Sequence, residues 1–180
     1  MNLGMIGLGK MGANMVRRLR RAGIGVTGFD RQADVAAALA RECGMSAAKS
    51  VEDLVARCQP PRTLWSMLPA GAVTEAQISA LEKLLGSGDT LIDGANSHFK
   101  DSMDRARRLA PAGIDYLDVG VSGGVWGLTE GYALMVGGPP GAVERLRPVG
   151  QRALREDGPQ RHRVRHDAGL RGRFRADEGA

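Results

Sequence analysis

The sequence predicts an α/β protein built on a doubly wound, mostly parallel sheet. Apolar strand-like runs alternate with stretches of helical period along most of the 180 residues, which is the pattern of strands joined by crossover helices. The predicted helices are 7 to 13 residues long, the length such crossovers use. A glycine-rich turn containing Gly7, Gly9 and Gly12 joins the first strand-like run to the first helical stretch. No internal repeat is present.

Residues 3–8 form an apolar run ending in glycine and predict the first strand. A helix over 11–22 follows, with Met15, Val16 and Leu19 on one face. Gly23 ends it, and residues 24–29 give a second strand with Asp30 at its carboxyl end. Helices are predicted over 35–41 and 51–57, then a strand over 63–68 and a helix over 73–85. A strand over 90–93, a helix over 99–109, and strands over 116–119 and 133–136 complete the alternation. Residues 139–148 can hold one more helix, because Val143, Leu146 and Val149 recur at helical spacing.

A chain of 180 residues suffices for one domain with a full core and a small appendage, and is too short for two. Cys43 and Cys58 lack the paired spacing of a zinc or redox motif and read as ordinary thiols. No apolar run reaches the length of a membrane span, and the N-terminus enters a strand without a basic leader, so a cytoplasmic protein is expected. The formal charge of +5 is uneven: residues 1–143 carry +1 and residues 144–180 carry +4. Basicity is therefore a property of the tail.

The organisation that follows is one α/β domain over 1–149 and an Arg-rich tail over 150–180, disordered or produced by a shift of reading frame. The tail contains no Lys, Ile, Met, Tyr or Trp and shows no periodicity, and an Arg, Gly and Ala excess is what out-of-frame GC-rich codons yield. It lacks the aromatic interleaving or helical basic stripe of a nucleic-acid binder, so nucleic acid is an unlikely partner. His162 and His166 stand four apart within it, and no metal site is read from them.

Gly7, Gly9 and Gly12 form a G-x-G-x-x-G directly after a strand and directly before a helix, the context a dinucleotide site of the Rossmann type requires. The first glycine permits the turn, the second lets backbone approach a pyrophosphate, and the third lets helix pack closely on strand. The helix N-terminus offers amide hydrogens and a positive dipole end. Asp30, 18 residues past Gly12, lies where an acid can hold the ribose hydroxyls.

The run from Gly7 to Met15, with Leu8, Lys10, Met11, Ala13 and Asn14 between the glycines and after them, resembles the opening of the 6-phosphogluconate and β-hydroxyacid dehydrogenase superfamily. Asp93-Gly94-Ala95-Asn96-Ser97 is similar to the Asp-Gly-Gly-Asn-Ser of 6-phosphogluconate dehydrogenases, with Ala95 in place of the second glycine. Residues 118–124 resemble the family's substrate segment, and Val125-Trp126-Gly127-Leu128 its shorter bacterial form. The resemblance covers about residues 1–149.

That resemblance implies oxidative decarboxylation of 6-phosphogluconate, a phosphorylated sugar acid, to ribulose 5-phosphate in the pentose phosphate pathway. It implies that Gly7, Leu8, Gly9, Lys10, Met11, Gly12, Asp30, Arg31, Met67, Leu68 and Pro69 line the cofactor. By the same resemblance Asn96 touches both substrate and nicotinamide ribose, and Ser122, Gly123 and Gly124 hold the substrate's carboxylate end. Asp30 repels a 2′-phosphate and favours NAD, while Arg31, a phosphate partner in NADP enzymes of the family, keeps NADP open.

The family's proton-transfer lysine and glutamate follow the nucleotide domain, whereas the lysines here are Lys10, Lys49, Lys83 and Lys100, none after the substrate loop. His98 reads as a loop residue. A domain that binds a dinucleotide but turns over nothing alone, as if truncated, is expected. The alternatives are a 3-hydroxyisobutyrate-type dehydrogenase fragment, disfavoured by Asn96-Ser97, and a non-catalytic module whose basic tail binds a polyanion. The resemblance implies that full-length relatives are homo-oligomers.

Overall fold

The protein's structure, a computed structural model, describes residues 2–154. Its centre is a seven-stranded sheet in the order β3-β2-β1-β4-β5-β6-β7. These strands are β1 (Asn2–Ile6), β2 (Gly25–Phe29), β3 (Ser46–Ala47), β4 (Thr63–Ser66), β5 (Thr90–Asp93), β6 (Asp115–Ser122) and β7 (Ala133–Gly137). The first six are parallel, and β7 runs antiparallel to β6, with Val119 opposite Val136. The ten residues between β6 and β7 are too few for the crossover a parallel neighbour needs, and the chain reverses instead.

The helices are α1 (Lys10–Arg21), α2 (Ala33–Cys43), α3 (Val51–Arg57), α4 (Ala72–Glu82), α5 (Phe99–Leu109), α6 (Gly127–Glu130) and α7 (Pro140–Leu154). They cover both faces of the sheet, as the alternation predicts. On one face Leu3, Met5, Trp65, Ile92, Leu117 and Val119 pack against Val16 and Leu19 of α1, Leu39 of α2 and Leu146 of α7. On the other, Ile6, Leu64, Leu91 and Tyr116 meet Leu54 of α3, Ile78 and Leu81 of α4 and Leu109 of α5. Strand residues alternate between the two cores because their side chains alternate between faces. No helix among the described residues is long and apolar enough to cross a membrane.

Several elements depart from the predicted bounds for local reasons. The strand expected over 3–8 ends at Ile6, because Gly7 turns the chain at φ +88°. The strand expected over 63–68 stops at Ser66, ahead of Met67, Leu68 and Pro69. Four pieces without an apolar period are additions: the two-residue β3, the single-turn α6, and short 3-10 turns at Ala110–Ala112 and Gly124–Trp126. The last helix begins at Pro140, a residue suited to a helix start, and runs past Val149 to Leu154. Of the Arg-rich stretch, residues 155–180, with His162 and His166, lie outside the described residues.

Strand order reverses direction on either side of β1, so β1 and β4 flank the point where successive crossovers diverge. Ligands of doubly wound sheets bind at the carboxyl ends of the strands there. Gly12 brings α1 into that crevice: a Cβ at this position would collide with the Gly7 carbonyl oxygen. Gly12→Ala is expected to lower stability by about 1–3 kcal/mol, with loss of dinucleotide binding, read by thermal denaturation and calorimetric titration. Parental stability with parental binding would contradict the packing.

Candidate functional site

Three of the loops at the carboxyl edge of the sheet, those after β1, β5 and β6, form the candidate site together with the segments that follow β2 and β4. The first is the glycine turn. Gly7 donates its amide to the Phe29 carbonyl at 2.9 Å, tying the end of β1 to the end of β2. A Cβ at Gly7 would stand 2.7 Å from the Met67 carbonyl oxygen, so the turn lies directly against the segment leaving β4. Gly9 caps α1 in extended conformation, and a Cβ there would meet nothing within 4 Å. The open side of Gly9, the first-turn amides of Lys10 and Met11, and the absence of acidic residues from that turn suit an anion.

Asp30 reaches back to this turn. Its Oδ2 accepts the Leu8 amide at 2.8 Å and its Oδ1 accepts the Gln32 amide at 3.0 Å. The carboxylate is thereby fixed beside the glycine loop, half-buried, and Arg31 next to it is exposed. Across the crevice the Met67 amide donates to Ile6 at 2.8 Å, and the Pro69 carbonyl accepts the Thr74 hydroxyl at 2.8 Å. Met67 and Leu68 are half-buried and Pro69 is exposed.

The second loop leaves β5 and is built on Asp93, which is fully buried. Its Oδ1 accepts the Ala95 amide at 3.0 Å. Its Oδ2 accepts the Ser97 hydroxyl at 2.9 Å, the Tyr116 hydroxyl at 2.8 Å and Arg105 Nη1 at 3.0 Å. The same Nη1 donates to Ser97 Oγ at 2.8 Å. Between these anchors Asn96 is exposed and sits at φ +55°, the left-handed region, which is reached by no other non-glycine residue among those described.

Arg105, 3% exposed, needs this company. Burial alone pulls its pKa down, but Glu75, Tyr116 and Asp93 overcome that and hold it above its ordinary value. Burial and then the Asp93 carboxylate push Tyr116 well above the usual phenol range. Hydrogen bonds from Arg105 and Arg108 keep Glu75 below its ordinary value, with Arg105 Nε at 2.8 Å and Arg108 Nη1 at 2.7 Å. Asp118 on β6 is raised, chiefly by burial. The recess between α4 and α5 is walled by Glu75, Asp101, Asp104, Arg105 and Arg108, and both arginines are already paired with carboxylates.

The third loop leaves β6. Ser122 is exposed, Gly123 and Gly124 take φ of +142° and +49°, and the chain curls into a 3-10 turn. The Gly127 amide closes it on the Gly123 carbonyl at 2.9 Å. Trp126 follows, 73% exposed.

The site residues expected from sequence lie on these three loops and the first turn of α1, at Asp30 and Arg31 just after β2, and on the Met67–Pro69 segment that faces the glycine turn. His98 is the exposed N-cap of α5, with its ring 4.7 Å from that of Phe99. Lys83 lies at the far end of α4, away from the carboxyl edge. Arg105, Tyr116 and Glu75 escape a motif reading. One signal for Arg105 is present: Ser102, Arg105 and Leu109 recur along the buried face of α5, and an arginine there must have a partner.

A family model described as the NAD binding domain of 6-phosphogluconate dehydrogenase matches residues 2–153. The NAD(+)-dependent, decarboxylating 6-phosphogluconate dehydrogenase of Haloferax volcanii is 44% identical over 149 residues, 83% of this chain and 48% of that protein. Among solved structures, Plasmodium falciparum 6-phosphogluconate dehydrogenase aligns with a TM-score of 0.81 at 26% identity, over 88% of this chain and 35% of that one. The 3-hydroxyisobutyrate dehydrogenase of Mycobacterium tuberculosis aligns with a TM-score of 0.74 at 29% identity, over 85% and 52%. The chain spans about half the length of the Haloferax relative, or less in the Plasmodium case.

Removing one partner of a buried ion pair leaves the other charge uncompensated. Asp93→Asn is expected to cost about 3 kcal/mol, the low end for such a change, because Glu75 still holds Arg105. Chemical denaturation measures it. A loss below about 1 kcal/mol, the level of an exposed pair, would show that the network does not hold the β5 loop.

Proposed function

This chain belongs to the family of NAD binding domains of 6-phosphogluconate dehydrogenase, and we propose that it is the nucleotide half of an enzyme that oxidises and decarboxylates 6-phosphogluconate to ribulose 5-phosphate. Its cofactor is a nicotinamide dinucleotide. The observation that carries the proposal is the meeting, on one edge of the sheet, of an anion-ready helix start tied to Asp30 with an exposed Asn96 held left-handed. The Haloferax relative, 44% identical, is named for the same reaction.

The residues fit the group. The α1 amides and the open flank of Gly9 would take the pyrophosphate, Asp30 the adenosine ribose, and Met67, Leu68 and Pro69 the wall above the turn. When bound, the nicotinamide supplies the hydride acceptor. Asn96 orients the substrate and the nicotinamide ribose from the Asp93 turn. Ser122, Gly123 and Gly124 present backbone to the sugar acid's carboxylate. Each of these tasks is binding or orientation, which lowers a barrier by fixing geometry rather than by moving a proton.

NAD is the proposed cofactor over NADP. Asp30 places a negative charge at the end of β2, where a 2′-phosphate would lie, and its backbone partners hold it there. The Haloferax relative is named as NAD(+)-dependent. The Plasmodium enzyme is described in complex with NADP+ as its cofactor, but at 26% identity it weighs less. Titration of the protein should give NAD at least about tenfold tighter than NADP, a difference of about 1.4 kcal/mol, and Asp30→Asn should narrow or reverse it. Tighter NADP binding by the parent chain overturns the assignment.

The 180-residue chain on its own is proposed to bind without turnover. Asp30, Asp93 and Glu75 are engaged as acceptors, and no lysine follows Lys100. A substrate hydroxyl then loses its proton unaided, forfeiting roughly 10²- to 10⁴-fold in rate. Formation of reduced nicotinamide from 6-phosphogluconate, followed by absorbance, should stay at background. Turnover comparable to that of full-length relatives would refute it.

A further inference from the structure

Helix α1 serves two loops at once. Its first turn forms the dinucleotide site, and two turns later Arg18, 5% exposed, reaches the loop that leaves β6. Arg18 Nη1 donates to the Leu128 carbonyl at 2.9 Å and lies 3.4 Å from that of Thr129. Those carbonyls belong to α6, a helix of four residues. A single turn cannot sustain itself, and its last carbonyls have no partner within it. A guanidinium at that end satisfies them and complements the negative end of the turn.

Tyr132 closes the same loop from the other side. It is 1% exposed. A Cβ at Gly127 would collide with its ring, and one at Gly123 would stand 3.0 Å from Cδ1. The loop is thus pressed onto Tyr132 and pinned to α1, with Ser122, Gly123 and Gly124 at its start.

We propose that Arg18 is a positioning residue for the anion-binding loop: by holding the carbonyl end of α6 it fixes the backbone of residues 122–131 in the shape that receives a sugar acid's carboxylate. This rests on the reading of Ser122, Gly123 and Gly124 as the substrate's anchor. Arg18 itself touches no ligand. Because its support comes from α1, loop and dinucleotide turn are held by one rigid element.

The test uses the full chain with Arg18→Met, which keeps the apolar stem, and Arg18→Lys, which keeps a cation. Hydrogen exchange of amides 124–131 is compared with that of β1 and β4, and NAD and 6-phosphogluconate are titrated separately by calorimetry. Arg18→Met should speed exchange in the loop by about tenfold or more while leaving the two strands unchanged. Its affinity for NAD should stay within about threefold, and 6-phosphogluconate should bind about tenfold more weakly. Arg18→Lys should recover most of both losses. Unchanged loop exchange in both variants overturns the proposal, as does acceleration spread evenly over the sheet. If Arg18→Met does not fold, Arg18→Gln takes its place: selective acceleration in the loop supports the proposal and its absence overturns it. If the parent chain binds no 6-phosphogluconate while the loop still loosens in the variants, the positioning role stands and the reading of the loop's ligand falls.

Discussion

A carboxylate sealed from water must be given donors, and Asp93 obtains four from three parts of the chain. The requirement is severe because an unpaired buried charge costs several kcal/mol. Ala95 and Ser97 come from the loop it starts, Arg105 from α5, and Tyr116 from the neighbouring strand. Satisfying Asp93 therefore sets the path of the β5 loop, the rotation of α5 and the side of β6 that faces it. Through Arg105 and Glu75 the same network reaches α4. The left-handed backbone of Asn96 costs of order 1–2 kcal/mol, and it persists because the residues on either side of it are held by one acceptor.

The edge thus holds two designs of loop. In the glycine turn, shape comes from residues that lack side chains, and the stabilising bonds are between backbone groups or, at Asp30, between backbone and one carboxylate. In the β5 loop, shape comes from charged side chains buried under an exposed asparagine. The first leaves open space beside Gly9 at the start of α1. The second aims one polar side chain. Both are tied by internal hydrogen bonds without a ligand, an arrangement that reduces the entropy lost on binding.

What the sequence disclosed follows the same division. The order of strands and helices is legible because burial on both faces writes periodicity directly into the chain, and the glycine turn is legible because its spacing, Gly7 to Gly12, is short. Asp30 is legible too, since a fixed crossover separates it from that turn. Arg105, Tyr116, Glu75 and Arg18 are not: each acts on a partner far along the chain, as Arg18 does on Leu128, 110 residues away. Their identity as surface-type residues conceals burial, and only a polar residue recurring on an apolar face betrays it. Likewise the antiparallel β7 carries the same apolar run as a parallel strand, and its direction is set by the length of the preceding loop.

These facts also bear on what the carboxyl edge can do chemically. A general base needs a lone pair that is free when the substrate arrives. Asp93 is occupied by four donors, Asp30 by two backbone amides and Glu75 by two arginines. Protonating Asp93 or Glu75 would weaken the bonds that hold the β5 loop and its helix, and protonating Asp30 would weaken its hold on the glycine turn. The tyrosine in the cluster is no better placed, since burial and Asp93 hold its proton on. Asp93, Glu75 and Tyr116 accordingly hold the β5 loop and its helix in place, and the bonds that make them good at it oppose their use in proton transfer.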